Sequence, residues 1–113
     1  MTAAVIANLL KLVGTPRDAA LLRFCLGNEY LKQGDAQNAE LQLREAVARD
    51  PDYSAAWKLL GRALTERGRA EAALAAYLQG IAVAEKRGDL QAAKEMKVFA
   101  GRIRKQLDAE PSH

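Results

Sequence analysis

The stretch from Phe24 to Tyr77 reads FCLGNEYLKQGDAQNAELQLREAVARDPDYSAAWKLLGRALTERGRAEAALAAY, and it contains one pattern twice. Leu26-Gly27 recurs as Leu60-Gly61, Gly34 as Gly68, Ala36 as Ala70, Ala39 as Ala73 and Ala48 as Ala82, each 34 residues further on. Few other positions match, so the identities mark fixed structural needs rather than general likeness. They are small residues with leucine beside them, the types that let two helices approach closely. A fixed period of this size is the signature of a stacked array, in which each unit buries its apolar face against the next.

Working outward, turn and cap signals divide the chain into helices. Thr15-Pro16-Arg17-Asp18 is expected to open the first helix A: Thr15 as a cap, Pro16 at the first helical position, Asp18 at the positive end of the dipole. That helix runs to about Lys32, and Gly34-Asp35 makes a turn. The first helix B spans about Ala36 to Arg49 and stops before Asp50-Pro51. The second unit repeats the plan, with helix A from Tyr53 to Glu66, a turn at Arg67-Gly68 and helix B from Ala70 to Lys86. After Gly88-Asp89, Ala93, Met96, Phe99, Ala100, Ile103 and Leu107 share one helical face, which predicts a final helix over Leu90–Leu107. Before the repeats, Ala3 to Val13 reads as a helix ended by Gly14.

The residues between the identities carry a resemblance. The second copy has Trp57-x2-Leu60-Gly61-x2-Leu64 and Ala73-x3-Tyr77. The first has Leu26-Gly27-x2-Tyr30, Ala39-x3-Leu43 and Pro51. This resembles the tetratricopeptide repeat and its W-x2-L-G-x2-Y…A-x3-F…P pattern, and the whole chain is similar to small bacterial proteins with two such repeats between flanking helices. Arg23 stands where the first copy would have tryptophan, Glu85 where the second would have its closing proline, and Gly80 in place of the alanine at Ala46. The missing proline implies that the second repeat ends differently from the first. The expected architecture is all-α, a helical repeat array of about six helices in one domain. It comprises an N-terminal helix (3–14), two repeats (20–53 and 54–87), a capping helix (88–107) and a flexible tail (108–113). Leu26, Tyr30, Leu43 and Ala46 should fill the first repeat, and Trp57, Leu60, Leu64, Tyr77 and Ile81 the second. Gly27 and Gly61 should each face an adjacent helix B.

Composition agrees with close-packed helices. Half of the 113 residues are apolar, yet only 5% are aromatic. A net charge of +3 is too mild to imply nucleic acid by itself. One cysteine precludes an internal disulfide, and a reducing cytoplasm is the natural compartment. Residues 2–13 are apolar, but no charged segment precedes them and Lys11 interrupts the run. They are too short to span a bilayer, so they read as a helix of a soluble protein rather than a signal.

No catalytic constellation is visible. The one histidine, His113, reads as a solvated terminal residue, so Ser/His and Cys/His arrangements and a zinc site lack support. The glycines do not fall into phosphate-cradling spacing. Cys25 reads as a small, half-buried helical residue, and Asp and Glu read as scattered over ordinary solvated helices. The expectation is a protein that is not an enzyme and carries no cofactor or metal.

What remains is surface. Stacked helical pairs curve, and the A helices line the inner wall. By resemblance, that wall presents Leu21, Phe24, Asn28, Leu31 and Lys32 from the first repeat, and Ala55, Lys58, Leu59, Arg62 and Thr65 from the second. Phe24 and Leu31 would form an apolar floor, with Lys58 and Arg62 pairing with carboxylates. The implied function is a binding module or adaptor for a protein or peptide segment with acidic and apolar residues. Chaperone-binding members of the family hold a terminal carboxylate with lysines and asparagines. Asn28 fits that set but Phe24 and Leu59 do not, so that activity is not carried over. Two alternatives remain. The first helix could pair with its counterpart in a homodimer, since Val5 and Leu12 are left over once Ile6, Leu9, Leu10 and Val13 pack on the first repeat; a monomer is preferred. The last helix, with Lys94, Lys97, Arg102, Arg104 and Lys105, could attract nucleic acid, but no aromatic is interleaved for base stacking.

Overall fold

The computed structural model describes residues 2–109, with side chains from residue 3. Six helices follow in order: α1 (Thr2–Leu10), α2 (Ala20–Lys32), α3 (Ala36–Arg49), α4 (Ser54–Glu66), α5 (Ala70–Lys86) and α6 (Leu90–Ala109). Among the described residues there is no strand. Consecutive helices pack as antiparallel neighbours: α2 on α3, α4 on α5 and α5 on α6. α3 bridges to α4, while α4 also touches α2 and α6, and α1 rests on α2 alone.

The turns between paired helices share one chemistry. Gly34 and Gly68 adopt φ of 76° and 73°, the left-handed region open to glycine without steric cost. Gly34 N donates to Leu31 O and Asp35 N to Tyr30 O, while Gly68 N donates to Thr65 O and Arg69 N to Leu64 O. These bonds satisfy the orphan carbonyls at each helix end. Asp35 then caps α3 by accepting from Asn38 N at 3.1 Å.

The small residues sit where helices meet. Gly27 faces Leu43 of α3, and a Cβ on Gly61 would lie 2.6 Å from the Tyr77 ring of α5. Ala39 and Ala73, the opposed small residues, are fully buried. Leu26, Leu43, Leu60, Leu64 and Met96 are the largest fully enclosed side chains, each contributing roughly 1.5–3 kcal/mol of burial. Tyr30 and Trp57, expected in the core, are half-buried at its edge. Trp57 uses its polar handle there, donating from Nε1 to Pro51 O at 2.8 Å. Gly80 replaces alanine for a packing reason: a Cβ there would lie 2.5 Å from Met96 Sδ and 2.9 Å from Trp57 Cβ.

Several boundaries differ from the sequence reading. α1 ends at Leu10, not Val13, because Leu12 N and Val13 N bond to Leu9 O and Leu10 O in tight three-residue steps. Leu12 thereby swings back to the cluster of Ile6, Leu22 and Leu26, while Leu10 is left 42% exposed. Thr15 to Asp18 form turns, and α2 starts at Ala20. The Asp18 carboxylate is already engaged by Gly14 N at 2.9 Å and by the Arg23 guanidinium at 2.8 and 2.9 Å. At the other end α6 continues through Asp108 and Ala109, expected as tail. Residues 110–113, with His113, lie outside the described residues.

α5 is three residues longer than α3, 17 against 14. Pro51 stops α3 because proline cannot continue the hydrogen-bond ladder. Glu85 holds the corresponding place in the second repeat, so α5 runs on to Lys86. The connection that follows is one residue shorter, so α6 starts 36 residues after α4. Ala56 and Ala63 of α4 and Ala93 and Ala100 of α6, 37 residues on, are all buried.

Candidate binding groove

α2, α4 and α6 are the A-type helices, with α4 touching both others. Between α4 and α6 lies a recess of about 560 Å³. Lys58, Leu59, Arg62, Thr65 and Glu66 of α4 form one wall, Phe99 of α6 the other, and the buried Tyr77 of α5 the floor. The spacing of Lys58, Arg62 and Thr65 places them on one face of α4. Across from Lys58 stands Glu95, with Phe99 one turn further along α6 and Arg102 beside the Phe99 ring.

The walls are tied together. Lys58 Nζ reaches Glu95 Oε1 at 2.6 Å across the mouth. Hydrogen bonds from Lys58, then Gln91, hold the Glu95 carboxyl below the usual range. The Phe99 ring packs on Tyr77 at 5.5 Å between centroids, tilted by 36°. The Arg102 guanidinium stands 5.9 Å from the Phe99 centroid, within cation–π range. Arg62 pairs with Glu66 at 2.9 Å on its own helix, and Thr65 Oγ1 donates to Gly61 O at 2.8 Å. Burial pushes the Tyr77 phenol up, so it stays neutral.

Of the ten wall residues inferred from sequence, Lys58, Leu59, Arg62 and Thr65 come together in this recess. The others are placed differently. Leu31 is only 4% exposed and belongs to the core, so it offers no floor to a partner. Phe24 stacks on Tyr53 at 4.9 Å between centroids, which closes much of its face. Leu21 and Lys32 are exposed, Lys32 beside Glu29 at 3.5 Å, and Asn28 is half-buried. Ala55 is exposed and lines a separate recess with Tyr53, Ser54 and Arg87.

Phe99, Glu95 and Arg102 were missed as groove residues, because Phe99 reads as part of the cap's apolar face. The available signal was Glu85 in the proline's place, which shifts the count along α6. Two acidic residues also differ from the solvated reading. Glu40 is 5% exposed, held by Arg44 at 2.7 Å and Arg67 at 2.6 Å. Burial pushes its carboxyl up, but the two arginines outweigh this and leave it below the usual range. Asp18 is largely covered by Arg23, which in turn donates to Gln42 at 3.0 Å. Arg23 thus fills the tryptophan's place with an ion pair.

A sequence profile of the Tetratricopeptide repeat matches residues 26–89. The chain belongs to the tetratricopeptide repeat family. A TPR repeat-containing protein of Pseudomonas aeruginosa is 46% identical over 99 residues, 88% of this chain and 94% of the relative. A Bordetella parapertussis protein of known solution structure is 37% identical, with a TM-score of 0.78 over 90% of this chain and 89% of its own. The TPR domain of Sgt2 from Aspergillus fumigatus, at 24% identity, shares the fold, with a TM-score of 0.82 over 99% of this chain and 75% of that one. Tetratricopeptide arrays in general mediate protein–protein interaction through the surface their helices create.

The other surfaces are plainer. Among the described residues no helix is long and apolar enough to cross a membrane. None of their His, Cys, Asp and Glu side chains form a group of three or more able to hold a metal. Cys25 is a free, half-buried thiol. On α6, Lys97 is engaged with Glu85 at 2.9 Å, and Lys94, Arg104 and Lys105 are exposed.

Proposed function

We propose that this chain is a non-catalytic adaptor of the cytoplasm that holds a segment of a partner protein in the groove of its A helices. The observation that carries the reading is the recess between α4 and α6, where five side chains of α4 meet an aromatic wall. Its carbon-lined floor would accept apolar side chains, and Arg62, beside the Lys58–Glu95 pair, would meet carboxylates at the rim. The test compares the parent chain with a Lys58→Glu, Arg62→Glu variant as bait, followed by titration of the captured protein. The parent should retain a specific partner that the variant loses, with both folded by circular dichroism. Equal binding by the two would remove the groove from consideration.

Self-assembly is a second reading. Val5 and Leu10 are 41% and 42% exposed on α1, a helix without charged side chains, so a second copy could cover them.

A further inference from the structure

The groove is uneven along its length. Towards α2 its apolar side chains are already occupied, Phe24 by Tyr53 and Leu31 by the core. Towards α6 it opens into the 560 Å³ recess, a size within the range of pockets that engulf a ligand group. Three surfaces converge there: the Leu59 side chain, the Tyr77 ring and the Phe99 ring. The rings sit in a tilted pair, the geometry that admits a further aromatic edge or face.

The rim carries more positive than negative charge. Lys58, Arg62 and Arg102 face Glu66 and Glu95. Lys58 already has a partner in Glu95 across the mouth. Arg62 is held by one exposed pair within its own helix, a weak interaction that a better-placed anion displaces. Arg102 lies over the ring of Phe99, which lines the recess, and forms no ion pair among the described residues.

Resting on the groove reading above, we propose that the α4–α6 recess is the groove's anchor point. It takes one bulky aromatic side chain from an acidic partner segment, whose flanking carboxylates settle on Arg62 and Arg102. The aromatic group displaces water from a carbon-lined floor, which supplies affinity. The flanking acids meet a rim of net positive charge, which supplies orientation and discriminates against basic segments.

The test uses the full chain, nitrogen-labelled, titrated with three short capped peptides and followed by amide chemical shifts. The first has a central phenylalanine flanked on both sides by aspartate and glutamate. The second replaces the phenylalanine by alanine, and the third replaces the acids by lysine. The first should shift Leu59, Tyr77 and Phe99 and bind at least about tenfold tighter than either control. Phe99→Ala should lower that affinity by about tenfold or more. Should Phe99→Ala fail to fold, Arg102→Glu at an exposed site carries the same test and should lower the preference for the acidic peptide over the lysine peptide. Equal binding of the alanine peptide overturns the proposal. Shifts gathered at Leu21, Phe24 and Asn28 also overturn it while leaving the groove reading intact. Absence of binding by all three up to about 1 mM overturns the anchor, and the groove reading then stands or falls on its own capture experiment.

Discussion

Gly61 and Tyr77 share one volume: the ring occupies the space that a side chain on Gly61 would need. A Cβ there would lie 2.6 Å from both Cε1 and Cζ of the ring. The ring is 4% exposed and backed by Phe99, so it cannot swing aside without disturbing the recess. Gly61→Ala should therefore lower stability by about 1–3 kcal/mol through overpacking, more than the roughly 1 kcal/mol gained in helix propensity. Urea unfolding followed by circular dichroism measures this, and a variant as stable as the parent would contradict the packing.

Gly101 predicts the opposite sign. It lies in α6, and a Cβ added to it would meet nothing within 4 Å. Gly101→Ala should raise stability by about 0.5–1 kcal/mol, because alanine restricts the unfolded chain and suits the helix. The same unfolding experiment distinguishes the two glycines.

Arg67 joins the end of α4 to α3 through Glu40, which is nearly enclosed. Arg67→Ala should cost about 1–2 kcal/mol, below the loss expected for an isolated buried charge because Arg44 still holds the carboxylate. A double-mutant cycle with Glu40→Gln should return a coupling of at least about 0.5 kcal/mol. Additive effects would show the pair to be idle.

Asp18 is held below the usual carboxylate range, first by the Arg23 hydrogen bond and then by the Gly14 amide, and Glu40 is also depressed. A carboxyl that is more acidic folded than unfolded contributes its stability above the unfolded value and loses it as pH falls towards the folded one. Urea midpoints should thus be level from neutral pH to about 5 and fall below about 4. Asp18→Asn should make that fall shallower, and an unchanged acid slope would rule out the assignment.

α1 offers only Val5 and Leu10 as large exposed apolar side chains, a small patch of the kind ordinary monomers carry. Light scattering over a micromolar concentration series should give a monomer mass. A persistent dimer that Val5→Lys with Leu10→Lys dissolves would establish self-assembly through α1. Leu12 is not a useful site for this purpose, because it packs with Ile6.

Much of the fold was legible because close approach of helices demands small residues at fixed places. Gly27, Gly61, Ala39 and Ala73 announced both pairings, and Gly34, Gly68 and Gly88 the turns. The groove was legible only in part. Lys58, Leu59, Arg62 and Thr65 follow from helix periodicity, whereas the burial of Leu31 and the closure of Phe24 depend on side chains from other elements. The Glu40–Arg67 contact spans 27 residues and two helices, and no local pattern encodes such a meeting. α1 was overextended because its apolar run continues past the point where the chain turns.

The missing proline has a consequence beyond the length of α5. Stopping or continuing one helix slides the reading frame of the next, so a residue outside the groove decides which column of α6 side chains looks into it. Counted in steps of 34, the partners of Lys58 and Arg62 would be Ala92 and Met96; in the structure Lys58 pairs with Glu95, and Arg62 shares its recess with Phe99. An uncharged, aliphatic wall becomes one with a latch and a ring. Where one helix ends thus bears on the surface that the next one offers, although α6 keeps Ala93, Met96, Ala100 and Ile103 turned into the core.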